Sequence, residues 1–290
     1  MEQQNQIFDT LLSIKASEMD LDALISYSLS LSISAENLKV CVYNEQRKCL
    51  ALEHYRFYEQ ITPKLLQGLF ENHLFLRANY WKNISLHFTN QIFTIVPNAF
   101  YEEDFLIKYL KPTIQLPAQS IIYVNALPQI QAQNIFAVST ELYSWFADRT
   151  YPNKSLQVTH QVTNLIKLLS PLAKSQTSDR IFAIADSKLL ALVVFKQGEL
   201  IFCNVFSYKT PQDFIYYVLF VLQELKIERV QATVELIGEV SPKSQPFELL
   251  KPYLKEVLCL QHFDKRITLP FDFDSIELYQ YIDFLVSIPD

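Results

Sequence analysis

Twice along this chain, three strand-like runs joined by short turns lead into a Thr-Pro pair that opens a helix, and this doubled order constrains the fold more than any other feature. The first set is residues 27–34, where apolar residues alternate with serine, then 38–43 and 49–57. Strict alternation is the pattern of a half-buried strand. Thr62-Pro63 follows, with Leu65, Leu66, Leu69, Phe70 and His73 at helical spacing. Threonine accepts hydrogen bonds from first-turn amides, and proline suits the first helical position because the N–H it lacks has no partner there. In the second set, residues 181–185, 189–195 and 200–206 precede Thr210-Pro211 and a helix over 212–225.

Between and around these sets the pattern predicts a helical lead over 8–14, a β-like pair around 84–88 and 91–96, and a helix over 102–110. Strands at 121–124 and 135–138 and a helix over 140–146 close the first half. After a connecting segment and the second meander come a strand at 230–237, a helix over 242–253, a short strand at 257–260 and a terminal amphipathic helix over 276–286. The expected class is α/β, with lobes at 1–150 and 151–290. Each has ββαβαβα order and a mixed sheet with helices on both faces. No residue-level repeat of 20 to 50 positions accompanies it, so the duplication is one of topology.

Half of the residues are hydrophobic and 19% are charged, the balance of a globular chain that buries a large core. The net charge of −6 is shared by both halves, and the strongest basic features are the pairs Arg47-Lys48 and Lys265-Arg266. Nucleic-acid binding needs clustered Lys and Arg, so none is expected. Residues 1–5 are polar and lack the basic start and apolar run of a secretory signal. The most apolar run, 214–222, is far short of the roughly 20 residues that cross a bilayer. A cytoplasmic protein without a membrane span is expected.

No two of Cys41, Cys49, Cys203 and Cys259 have the spacing of a zinc knuckle or redox motif, so no metal site is expected. Cys41 and Cys49 flank the turn 44–48 symmetrically, which puts them within disulfide reach on a hairpin; two reduced, buried thiols are the expectation.

A three-strand meander feeding a helix, twice over, is the plan of the actin and sugar-kinase (ribonuclease H-like) superfamily. The chain resembles an uncharacterised bacterial family of unknown function with an actin-like ATPase fold. The residues that carry this are Leu50-Ala51-Leu52-Glu53-His54-Tyr55-Arg56-Phe57, Thr94-Ile95-Val96-Pro97, the run 214–222, Leu236-Ile237-Gly238-Glu239 and Leu269-Pro270-Phe271-Asp272. The resemblance implies a fold and no particular activity.

It also implies where a nucleotide would sit. In actin-like ATPases a glycine-containing turn in each half cradles phosphate and carries metal-coordinating acids, because backbone N–H groups must approach the phosphate oxygens closely. Here those turns would be Ser34-Ala35-Glu36-Asn37 and Asp186-Ser187-Lys188, and neither contains glycine. The chain has three glycines in all, Gly68, Gly198 and Gly238. The remnant nucleotide site is therefore Asp186, Lys188, Gly238 and Glu239. Asp186 matches the acid of the second turn, Lys188 could supply charge, and Gly238-Glu239 resembles half of an adenosine turn. The plainer readings are an Asp186 that caps its own backbone and a Gly238 required by a tight turn after a strand. His54, His73, His87, His160 and His262 form no ligand or triad pattern.

Two functions stay open, besides re-use of the interlobe cleft for another small ligand that no polar cluster in the sequence identifies. One is a non-catalytic interaction or scaffold protein that has lost ATP hydrolysis, with an unknown protein partner and no cofactor. Its candidate docking surface is the terminal helix bearing Leu278, Tyr279, Tyr281, Ile282, Phe284 and Leu285, with sealing of the core as the alternative role for that helix. The other is a divergent ATP-binding protein or small-molecule kinase using ATP and magnesium in the interlobe cleft, with Asp186 or Glu36 positioning the attacking group. The aromatic run 214–222 is expected as a central helix buried between the lobes.

Overall fold

The computed structural model describes residues 7–78, 81–110, 116–149, 156–175, 179–261 and 267–288. Residues 1–5, His262 and the Lys265-Arg266 pair lie outside them. In chain order the elements are β1 (Phe8–Lys15), β2 (Ser28–Ile33), β3 (Asn37–Tyr43), β4 (Cys49–Phe57), α1 (Pro63–Asn72) and β5 (Asn83–Phe88). Then come β6 (Phe93–Pro97), α2 (Leu106–Leu110), β7 (Ser120–Leu127), β8 (Ala132–Ser139), α3 (Thr140–Ala147), β9 (Gln157–His160) and α4 (Gln161–Lys174). The second half contains β10 (Arg180–Asp186), β11 (Leu189–Lys196), β12 (Glu199–Ser207), α5 (Pro211–Glu224), β13 (Thr233–Gly238), α6 (Gln245–Leu250), β14 (Glu256–Cys259) and α7 (Ile282–Leu285).

The first sheet has the order β1-β4-β3-β2-β5-β9 and the second β12-β11-β10-β13-β14. Set β1 aside and the orders coincide: an antiparallel meander, then two strands added in parallel. The duplication read from the two Thr-Pro helices is thus a duplication of sheet topology. A third sheet, β6-β8-β7, is inserted between β5 and β9. The first sheet itself draws on chain beyond residue 150, because β9 pairs with β5.

Local chemistry explains the shared elements. Thr62 caps α1, and Thr210 caps α5 by accepting from Asp213 N at 3.1 Å while the Asp213 carboxylate accepts from Thr210 N at 2.9 Å. This reciprocal arrangement satisfies donors that a helix start leaves unpaired. β10 and β11 are covered on both faces and read as nearly continuous apolar runs.

Several expectations are overturned. Residues 8–14 are not a helical lead: they form β1, antiparallel to β4. The open edge of β4 supplies a ladder that outweighs weak local helix propensity. Residues 84–88 and 91–96 are strands but not partners, since β5 joins the first sheet and β6 pairs with β8. The supposed connecting segment contains β9 and α4. Ten residues of α4 are buried, and it packs against β7, β9, β11, β12 and α7. Hence α4, rather than α5, runs between the lobes. α5 covers the outer face of the second sheet beside α6 and leaves Tyr216 and Phe220 exposed at 60% and 41%.

The terminal amphipathic helix contracts to a 3-10 turn at Leu278–Gln280 and the four residues of α7. Tyr279, Tyr281, Ile282, Phe284 and Leu285 are buried, most of them in a cluster with Cys41, Tyr43, Cys49 and Leu52 of the first sheet. The terminus seals that face and offers no docking surface. Cys41 and Cys49 are free thiols with sulfurs 3.7 Å apart. Burial foremost, then the neighbouring thiol, holds Cys41 well above the usual thiol range. No helix among the described residues is long and apolar enough to cross a membrane.

Candidate functional site

The two turns that the resemblance assigns to phosphate close on each other across the lobe boundary. Turn 34–37 is pinned by Ser34 N bonding Asn37 O at 3.0 Å and by Phe57 N bonding Glu36 O at 2.8 Å. The opposite turn places Ser187 in the left-handed region at φ 52°, and Tyr208 N bonds Lys188 O at 2.8 Å. Between them, Lys188 Nζ donates to Glu36 Oε1 at 2.5 Å and Ser187 Oγ to Glu36 Oε2 at 3.4 Å. Asn37 Nδ2 donates to Asp186 Oδ1 at 2.6 Å. Asp186 therefore does not cap its own backbone; its carboxylate spans the seam.

Behind the turns lies a buried ionic cluster. Lys39 Nζ stands 3.9 Å from Asp186 Oδ2 and 3.7 Å from Asp283 Oδ2, so its ammonium joins β3, the end of β10 and α7. Burial draws that ammonium down, but the Asp186, Asp283 and Glu239 carboxylates outweigh it and hold its pKa above the ordinary lysine value. Glu239 is pushed up by burial and then by Asp186, against the pull of Lys39 and Arg56. Asp283 is raised by burial, with Lys39 opposing. His54 lies opposite Lys39 in the β3–β4 register, with Nε2 3.5 Å from Glu239 Oε1 and its ring edge-on to Tyr281. Burial, then the charges of Lys39 and Arg56, pushes His54 down to about 2, so the imidazole is neutral.

Gly238 sets the position of Glu239. It ends β13 at φ 84° in register with Ala185, and a Cβ there would stand 2.1 Å from the Ala185 carbonyl oxygen. Only glycine permits this approach, which brings Glu239 N to 2.8 Å from Ala185 O and its carboxylate to Asn37 Nδ2 at 2.5 Å. Arg56 pairs with Glu239 and donates from Nε to Asn37 Oδ1 at 3.3 Å. A recess of about 310 Å³ opens beside this group, lined among others by His54, Arg56, Glu239, Ser241, Ser244 and Tyr281.

Asp186 and Glu239 meet through Asn37, Gly238 is the backbone contact that seats Glu239, and Lys188 turns instead to Glu36. Lys39, Arg56, His54 and Asp283 complete the cluster and were not read as its members, while Asn37 was read only as the last residue of the first turn. Lys39 did leave a signal, a lone lysine within the apolar run 38–43. The fit to a magnesium-bound triphosphate is poor. No glycine turn offers amides, the turn tips are tied by Glu36 and Lys188, and Asp186 already faces an ammonium and an amide donor. Four carboxylates (Glu36, Asp186, Glu239 and Asp283) stand against three cations (Lys39, Arg56 and Lys188), which leaves no net positive charge to attract a polyphosphate. Among the described residues no group of three His, Cys, Asp or Glu is placed to hold a metal ion.

The family of proteins of unknown function DUF3822 matches this sequence over residues 16–257. The chain belongs to that family. Among solved structures, a Bacteroides thetaiotaomicron protein of actin-like ATPase fold and unknown function is similar at TM-score 0.72 and 21% identity, over 84% of this chain and 94% of that one. The PilM-PilN type IV pilus biogenesis complex is similar at TM-score 0.57 and 15% identity, over 89% and 96%. No curated protein matches the sequence. At these identities the likeness concerns the fold, so this DUF3822 member is an actin-like α/β protein.

Proposed function

We propose that this DUF3822 member is a non-catalytic interaction protein of the bacterial cytoplasm, an actin-like frame that has lost ATP hydrolysis and binds a protein partner. The observation that carries the reading is the closure of the two turns by Glu36–Lys188 and Asn37–Asp186. Catalysis of phosphoryl transfer depends on clamped phosphates and a held metal, and here the clamping positions are occupied by side chains bonded to one another. Protein contact is an occupation open to the fold, since one similar structure is the PilM-PilN complex.

The test is a thermal-shift titration with ATP and ADP, with and without magnesium. Binding to the native state raises apparent stability by RT ln(1 + [L]/Kd). No saturable rise at millimolar nucleotide is expected. A magnesium-dependent rise that Asp186→Ala abolishes overturns the reading in favour of a nucleotide-binding cleft.

A further inference from the structure

A polar atom taken out of water keeps a hydrogen-bond partner, because leaving it without one costs its full desolvation. Among the described residues Lys39 Nζ, His54 Nε2 and Asp283 Oδ1 are buried atoms that no side chain or backbone group satisfies. The three residues are 1%, 3% and 6% exposed.

These atoms fall in one place. His54 stands directly opposite Lys39 in the β3–β4 ladder, so both side chains leave the same face of the first sheet. Asp283 comes down on that face from α7, with Oδ2 3.7 Å from Lys39 Nζ. Tyr281 of the same segment lies edge-on to the His54 ring, with centroids 5.8 Å apart. The Lys39–Asp186 separation of 3.9 Å and the Lys39–Asp283 separation are both longer than the roughly 2.7–3.2 Å of an N–H···O bond. Polar contacts stretched beyond about 3.5 Å are the spacing that a water bridges.

Charge decides what fits there. A metal cation would face the Lys39 ammonium, and an anion would face the Asp186, Asp283 and Glu239 carboxylates. Lys39 only donates, whereas Asp283, ionised beside that ammonium, only accepts, so the occupant must accept from one and donate to the other. His54 is a neutral imidazole and accepts at Nε2 when its proton is on Nδ1. The occupant is therefore neutral, with one bond to accept and two to donate.

We propose that one ordered water is bound at this point, accepting from Lys39 Nζ and donating to Asp283 Oδ1 and His54 Nε2. Three hydrogen bonds are what a buried water typically makes. The contact between the first sheet and α7 is then a bridged one rather than a direct ion pair. The water exchanges with solvent through the recess of about 310 Å³ on whose wall His54 and Tyr281 stand. It is independent of the interaction reading, since neither nucleotide nor partner takes part in holding it.

The test is a crystal structure of the full chain at a resolution that shows ordered water, with oxygen-17 relaxation dispersion of the same protein in solution. One peak is expected within about 3.2 Å of Lys39 Nζ, Asp283 Oδ1 and His54 Nε2. Lys39→Met should abolish it. His54→Phe keeps a ring against Tyr281 but removes one hydrogen bond, and should shorten the residence of one long-lived water about tenfold; this variant keeps the test decisive if Lys39→Met does not fold. A Lys39 ammonium that closes to within about 3 Å of both aspartates with no peak beside it overturns the proposal. So does a residence unchanged by His54→Phe. An anomalous signal at this point in crystals soaked in rubidium bromide overturns it in favour of a bound ion.

Discussion

The Lys39 ammonium lies 3.7 Å from the Asp283 carboxylate, and both side chains are buried although they come from near opposite ends of the chain. Lys39 projects from the first sheet and Asp283 from the helix that seals it, while Asp186 completes the group from the second lobe at 3.9 Å. One lysine thus ties three parts of the fold. Removing one member of a buried ionic group leaves the others uncompensated, at a cost of about 3–5 kcal/mol.

Lys39→Met is accordingly expected to lower stability by ~3–5 kcal/mol in urea unfolding, and Asp283→Asn in the same background to recover part of the loss. Strict additivity of the two substitutions would show that the residues do not interact.

Stability is expected to fall on mild acidification. Burial first, then nearby positive charge, pushes His54 down to about 2 and His87 down to about 3. Burial, only partly offset by the Asn90 carbonyl, pushes His160 to about 3. Unfolded histidine takes up its proton near pH 6.5, so the unfolded state binds more protons between about pH 6.5 and 3. The contribution of these side chains is complete above about 6.5 and is lost as pH drops through that window. Each histidine adds at most ~1.4 kcal/mol per pH unit. Glu239 and Asp283 are raised and act in the opposite sense as pH falls toward the ordinary carboxylate range, softening the slope. Lys39 is raised, so its contribution holds below about pH 10.5 and is lost above it. Urea midpoints measured from pH 4 to 8 check the acid limb; a flat profile between pH 7 and 5 would refute neutral burial of the three rings.

Gly238→Ala and Gly198→Ala should separate strain from collision. Both glycines have positive φ, 84° and 83°, but a Cβ at 238 meets the Ala185 carbonyl oxygen at 2.1 Å whereas one at 198 meets Lys174 atoms at 3.4 Å. Gly198→Ala is expected to cost ~1 kcal/mol and Gly238→Ala well over ~2 kcal/mol. Thermal melting of the two variants checks the order.

The two seam contacts should differ in weight. Lys188 is 66% exposed, so Lys188→Ala is expected to change stability by less than ~1 kcal/mol. Asn37 is buried and feeds both Asp186 and Glu239, so Asn37→Ala should cost ~1–3 kcal/mol by leaving buried carboxylates without a donor. Parallel urea titrations distinguish them.

The Thr62 and Thr210 caps, the existence of strand β2 and the apolar runs of β10 and β11 were legible because each depends on neighbours a few residues away, whereas the serine alternation of β2 promised a half-buried strand and all six residues are buried. β1 was not legible, since its conformation follows from the open edge of β4. The polar residues Gln161, Thr163 and Asn164 hid the buried surroundings of α4. Periodicity likewise could not say that β5 and β6 belong to different sheets. In the site, the turn ending at Asn37 and the residues Asp186, Lys188, Gly238 and Glu239 could be picked out from the order of strands and turns, whereas Lys39, Arg56, His54 and Asp283 could not.

The sequence by itself determined the doubled order of strands and helices, the turns without glycine and the mild net negative charge, all properties of local pattern and composition. The tertiary structure alone decided that those turns bond to each other, that one lysine serves two aspartates, and that β12 lies at a sheet edge. These depend on pairing residues far apart in the chain. Such a pairing is fixed only when two sheets and the segments covering them are brought to one separation, where buried charge must find its counterpart.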